Sequence, residues 1–138
     1  MIEKVCINVA LLVIDMQNGF CSDNGSVNAV GLPAKRLQPA ISPCVKLVAA
    51  ARNAEVPIIF TRYVYRSDYR DGGLMVHELM PDLKNGKTLI ANTWDTDILD
   101  ELAPRETDFV VDKNRPSSFY GTSLDGILKN LAIENLVV

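Results

Sequence analysis

Six consecutive apolar residues, Val9-Ala-Leu-Leu-Val-Ile14, constrain this chain more than any other feature. A strand with one face in water alternates polar and apolar side chains, and this run does not. It reads as a strand buried on both faces, the kind found in parallel sheets covered by helices. It is far shorter than the ~20 residues a membrane helix needs. Two further β-rich runs follow, Val56–Tyr63 (with Pro57 near its first residue) and Asp108–Lys113, and Asn135–Val138 opens a fourth. Between them lie helical patterns. Ser42-Pro43 is read as N-cap and first helical residue, with Cys44, Leu47, Val48 and Ala51 repeating down to Asn53. Thr122 is read as the cap of a second helix, with Asp125 three residues on and Leu124, Ile127, Leu128 and Leu131 on one face. Residues 22–35 are expected to be loop. Residues 66–88 are expected to be a long excursion with one short helical piece, and Thr96–Leu102 a short helix.

The fold class that follows is α/β, a parallel sheet flanked by helices on both faces, in one domain over residues 1–138. A strand that opens at the last four residues has no covering elements after it. The expectation is therefore a domain truncated in its fourth strand, with its C-terminal part outside these residues, and an apolar sheet edge that favours a homo-oligomer.

Composition removes several classes of function. Fourteen Lys+Arg stand against 17 Asp+Glu with no basic run, so no nucleic-acid partner is expected. Neither a membrane partner nor a signal peptide is expected, since Met1-Ile-Glu-Lys4 lacks a charged-then-apolar layout. The three cysteines (Cys6, Cys21, Cys44) are an odd number without a Cys-x-x-Cys pair, which fits a reducing cytoplasm better than a disulfide framework. A single histidine, His77, argues against His-based catalysis and against a multi-histidine metal site.

In open parallel sheets ligands bind at the carboxyl ends of the strands. The first run ends in Asp15 and the third in Asp112-Lys113. If both strands are parallel, Asp15 and Lys113 reach the same sheet edge, where a carboxylate and an ammonium can share a site. Strands also end wherever polarity resumes, so a charge there can be only a boundary. None of the cysteines offers an obvious nucleophile. Cys6 precedes the first strand, Cys44 falls on an apolar helix face, and Cys21 follows Asp15 in a polar loop. No Gly-x-Ser-x-Gly elbow, Walker loop or Gly-x-Gly-x-x-Gly is present.

Four segments in order resemble the isochorismatase-like cysteine hydrolases: Ala10–Phe20, Ala50–Arg62, Val111–Leu124 and Leu131–Val138. The resemblance implies a catalytic trio of Asp, Lys and Cys that hydrolyses a C–N bond without an organic cofactor. Asp15 takes the Asp role and Lys113 the Lys role. The Cys is expected soon after residue 138, and none of the three cysteines present matches its place. Asn92-Thr-Trp-Asp95 resembles a segment of the carbamoyl- and ureido-amide branch, which implies a small-molecule amide or ureido substrate. A lone His77 implies no catalytic metal, unlike the branch that carries paired histidines.

Most of the further positions keep two readings. Gln17 and Asn18 orient Asp15 or contact substrate, or else satisfy turn backbone. Trp94 lines the pocket or anchors its loop. Arg115 holds a substrate carboxylate with its fork or is a surface charge, and Phe119 walls the site. Two other functions stay open. One is an isochorismatase-type vinyl-ether hydrolase that works without the Cys. The other is a catalytically inactive member or fragment that serves as a binding partner.

Overall fold

The computed structural model describes residues 8–138. Strand β1 (Val9–Ile14) leads into two short helical turns, α1 (Asn18–Cys21) and α2 (Ser26–Ala29). Helix α3 (Ile41–Asn53) returns the chain to β2 (Ile58–Tyr63), and an excursion containing α4 (Asp82–Asn85) precedes β3 (Phe109–Lys113). Helix α5 (Leu124–Asn130) and β4 (Asn135–Val137) follow. The strands form one sheet in the order β3-β2-β1-β4, with every neighbouring pair parallel.

The apolar run explains the layering. Ala10, Leu11, Leu12 and Val13 are each at most 4% exposed. Leu11 and Val13 pack with Ile58, Phe60 and the α3 residues Val48 and Ala51. Ala10 and Leu12 pack with Ile59, Val111 and Leu124 of α5 on the other face. A strand that feeds two cores has no room for a polar position. Strand β3, at the sheet edge, alternates instead: Val111 and Lys113 are buried while Val110 is 44% exposed.

Several local expectations need correction. Helix α3 starts at Ile41, after a 3-10 turn at Gln38–Ala40 runs straight into it. Ser42 is therefore inside the helix. The cap position is Ala40, which has no side-chain oxygen to offer, and Pro43 sits in a first turn where its missing N–H costs nothing. The cap position of α5 is Ser123 rather than Thr122, although Thr122 Oγ1 accepts the Leu124 N–H at 3.2 Å, and Asp125 accepts from Lys129 rather than bonding back to the cap. Residues 22–35 are not all loop, since they hold α2 and a 3-10 turn at Ala34–Arg36. The 66–88 excursion holds two helical pieces, a π-turn at Met75–Leu79 and α4. Thr96–Leu102 is not one helix. It splits into 3-10 turns at Trp94–Thr96 and Asp100–Leu102, because Ile98 bridges Gln17 between them. Cys6 lies outside the described residues.

Candidate active site

Asp15 and Lys113 meet at the carboxyl edge of the sheet, with Lys113 Nζ 2.7 Å from Asp15 Oδ2. The meeting is not trivial, because β2 lies between β1 and β3, a span of roughly 9.5 Å. Two features close it. Asp15 has a positive φ of 54°, an uncommon conformation for a residue with a Cβ. Regular alternation would carry Asp15 to the α3 face with Val13; the left-handed turn releases it from that pattern. Lys113 shares the α5 face with Val111, and its long stem crosses β2.

Each charge is then held on several sides. Asp15 Oδ1 accepts the Thr61 hydroxyl at 2.7 Å, and the Asp15 N–H donates to the Thr61 carbonyl and hydroxyl oxygens at 3.2 Å. The Lys113 ammonium donates to Asp15 and, at 3.3 Å each, to the carbonyls of Arg115 and Pro116. It lies 4.2 Å from the centre of the Tyr63 ring. The lysine side chain is 2% exposed and the aspartate side chain 19%, so solvent reaches the pair from the carboxylate side. Beside Lys113 a pocket of about 230 Å³ opens among Arg66, Asp71, Asp112, Asn114 and Gly121.

Gln17 is fully buried and all of its amide is engaged. Its Oε1 accepts the Tyr63 N–H at 2.6 Å, and its Nε2 donates to the carbonyls of Tyr63 and Thr96 at 3.1 Å. It clamps the turn after β1 to the end of β2. Asn18, also buried, donates from Nδ2 to the Trp94 carbonyl at 3.0 Å. Trp94 itself is 53% exposed and Phe119 50%, so neither ring is packed into the core. Arg115 donates through Nη1 to the Asp71 and Asn114 carbonyls at 2.6 and 2.7 Å, and its guanidinium lies 5.8 Å from the Tyr120 ring. Among the described residues it has no carboxylate partner.

Three residues with a part here were not singled out from sequence. Thr61 is the polar residue that follows Ile58-Ile-Phe60, which was a usable signal. Tyr63 lies beside Lys113 only through the register of β2 on β3. Asp95 binds three strands of loop together: Oδ1 accepts the Ser26 N–H at 2.9 Å, and Oδ2 accepts the Ser26 hydroxyl and, at 2.7 Å, the Leu89 N–H. Gly19 packs against that carboxylate, where a Cβ would lie 2.8 Å from Asp95 Cγ.

His77 lies in the π-turn with Nε2 3.1 Å from the Tyr69 carbonyl. No three His, Cys, Asp or Glu side chains gather as a ligand set among the described residues. No helix there is long and apolar enough to cross a membrane. Cys21 is buried, and burial pushes its thiol up to about 11; burial also raises that of half-buried Cys44. The thiolate is the reactive form, so neither should label with iodoacetamide at neutral pH in the folded protein. Both should label once denaturant exposes them, as peptide mass spectrometry would read. Rapid native labelling of Cys21 would show that the turn carrying it opens.

Comparison with known proteins places the residues in a wider setting. Residues 9–138 match the family described as Isochorismatase domain. The ureidoacrylate amidohydrolase RutB of Acinetobacter baylyi is 32% identical over 140 residues, covering 93% of this chain and 57% of the relative. A cysteine hydrolase from Pseudomonas syringae pv. phaseolicola superimposes with a TM-score of 0.77 at 30% identity, covering 94% of this chain and 57% of that one. An isochorismatase family protein from Desulfovibrio vulgaris gives a TM-score of 0.78 at 26% identity over 95% and 65%. The chain spans just over half the length of the curated relatives it matches.

Proposed function

The chain belongs to the isochorismatase family, and from that premise we propose that the complete protein hydrolyses a C–N bond of a small amide or ureido compound. The observation that carries the proposal is the 2.7 Å pair between Asp15 and Lys113 at the carboxyl edge of a parallel sheet. The similarity to ureidoacrylate amidohydrolases at 32–35% identity supports the ureido class.

In this reading the nucleophile is a cysteine thiol supplied from outside residues 1–138. Asp15 takes the thiol proton, and the thiolate attacks the carbonyl carbon. The C–N bond breaks as Asp15 returns the proton to the leaving nitrogen, and water then cleaves the thioester. The Lys113 ammonium, itself almost wholly buried, favours thiolate. Its donors are committed to Asp15 and two carbonyls, so its part is to hold charge and position rather than to grip substrate. Asp15 keeps the more open side of the pair, as a proton-transfer group needs.

Among the proposed substrate contacts, Arg115 has the clearest means. Its Nη1 is used by main-chain carbonyls, and the rest of its fork faces no carboxylate among the described residues, so it can take a substrate carboxylate. Trp94 and Phe119 supply exposed rings that can close over a small molecule. Gln17 and Asn18 act by fixing the turn that aims Asp15. A net charge of -3 fits a small-molecule rather than a nucleic-acid partner. The unpaired Cys21 and Cys44 support a reducing, cytoplasmic setting. The exposed Leu74 and Leu79 support self-association.

The test is a substrate panel with the complete protein. Ammonia or amine release from carbamoyl and ureido amides is the expected result. Pyruvate release from isochorismate, with no amide turnover, would replace this reading by vinyl-ether hydrolysis, and silence on the whole panel would favour a non-catalytic member.

A further inference from the structure

We infer that Tyr63 is a positioning residue whose aromatic ring, not its hydroxyl, holds the Lys113 ammonium against Asp15. The inference rests on the amide-hydrolase reading above for its kinetic test and on geometry alone for its second test.

Register puts the two side by side. Tyr63 and Lys113 are paired across β2 and β3, so their side chains leave the sheet as neighbours. Lysine must then cross β2 to reach Asp15 at the end of β1, and the ring lies along that path, 4.2 Å from Nζ. An ammonium that is 2% exposed has lost its water. Three acceptors replace the hydrogen bonds, and the ring's negative face covers the remaining side.

The ring is itself fixed. Gln17 grips the Tyr63 backbone on both sides, through the N–H at 2.6 Å and the carbonyl at 3.1 Å. Phe20 meets the ring edge-on at 6.5 Å, and Tyr65 packs at 5.2 Å. A chain of contacts thus runs from Gln17 on the turn after β1, through Tyr63, to Lys113 and back to Asp15.

The hydroxyl has no such part. Tyr63 Oη is buried beside the Tyr65 hydroxyl and makes no hydrogen bond to Asp15 or Lys113. Phenylalanine would lose at most the contact with the Tyr65 hydroxyl, and nothing that the ion pair uses. Ring and hydroxyl can therefore be separated by substitution.

The experiment uses the complete protein with Tyr63→Leu, Tyr63→Phe, and mono-, di- and trifluorinated phenylalanine at position 63. Fluorine drains the ring's negative face with little change in shape. Tyr63→Leu is expected to lower kcat about tenfold to thirtyfold, the size of a desolvated cation–ring contact, with KM within about twofold. Tyr63→Phe should restore most of that loss, and kcat should then fall stepwise with each added fluorine. A core effect on packing alone would not follow the fluorine count. Equal losses in the Leu and Phe variants, or a flat fluorine series, would overturn the inference.

The second readout needs no substrate: the rate of reductive methylation at Lys113, measured by peptide mass. It should be slow in the wild type and in Tyr63→Phe, and rise about tenfold in the trifluorinated variant as the ammonium loses its seat. Equal rates across the series would overturn the inference. If the wild type hydrolyses no amide, the functional reading fails and this labelling still decides the role of Tyr63. If Tyr63→Leu does not fold, the fluorinated series decides it.

Discussion

Asp15→Asn should slow amide hydrolysis by roughly two to four orders of magnitude, the range for a general acid–base group. The substitution keeps the size of the side chain and most of its contacts. Thr61 can rotate its hydroxyl to accept from the new amide, and the amide oxygen can still accept from Lys113. In the proposed mechanism, what is lost is the ability to take a proton and return it to the leaving nitrogen. The change should therefore fall on kcat while KM moves little. Steady-state hydrolysis by the complete protein reads this directly. Near-normal turnover would make Asp15 a strand-ending carboxylate and nothing more.

Lys113→Ala should have two large effects. The first is on stability. The substitution strips the partner from a carboxylate that is 19% exposed and leaves the carbonyls of Arg115 and Pro116 without their donor. It also removes the stem that fills the space above Tyr63. Breaking a buried pair by deleting one partner costs about 3–5 kcal/mol, and the solvent access of Asp15 puts this case near the lower end. The second effect is on chemistry, since in the proposed mechanism the cation that favours thiolate is gone. Chemical denaturation and steady-state kinetics on the same variant separate the two. Arg62→Ala is the companion. Its bidentate pair with Asp112 lies on the exposed side of the same two strands, so its loss should cost well under the Lys113 effect in both measurements.

The sheet was legible because its strands are written in runs that admit one reading. Six apolar residues without alternation leave β1 no choice but two covered faces, and both cores are found where that demands. The two charges were legible as strand-ending residues, since a parallel sheet brings such ends to one edge. What the sequence did not carry was how they meet across β2. That depends on the left-handed backbone at Asp15 and on the register that seats Tyr63 beside Lys113. Neither leaves a local signal, because Asp is compatible with many conformations and a tyrosine in a strand reads first as packing.

The helix starts misled for a related reason. Ser42-Pro43 has the composition of a helix N-terminus, yet a 3-10 turn upstream supplies the entry and makes a cap unnecessary. The segment from Thr96 to Leu102 has helical spacing, but the bridge of Ile98 to Gln17 is a stronger local claim on its backbone. Asp95 shows the same limit. Its segment drew notice for Trp94, while the carboxylate that ties three loops together could be seen only once Ser26 and Leu89 had been brought to it.

In the proposed mechanism Asp15 and Lys113 are one device, a carboxylate and an ammonium held 2.7 Å apart that act as a pair. A double-mutant cycle on kcat/KM for amide hydrolysis by the complete protein, with Asp15→Asn, Lys113→Met and both together, tests this most directly. Residues that act as a unit give strongly non-additive losses, so the double variant is expected within about threefold of the worse single variant. A double variant as slow as the product of the two single losses would mean that the residues act independently, and the shared site at the sheet edge would have to be abandoned.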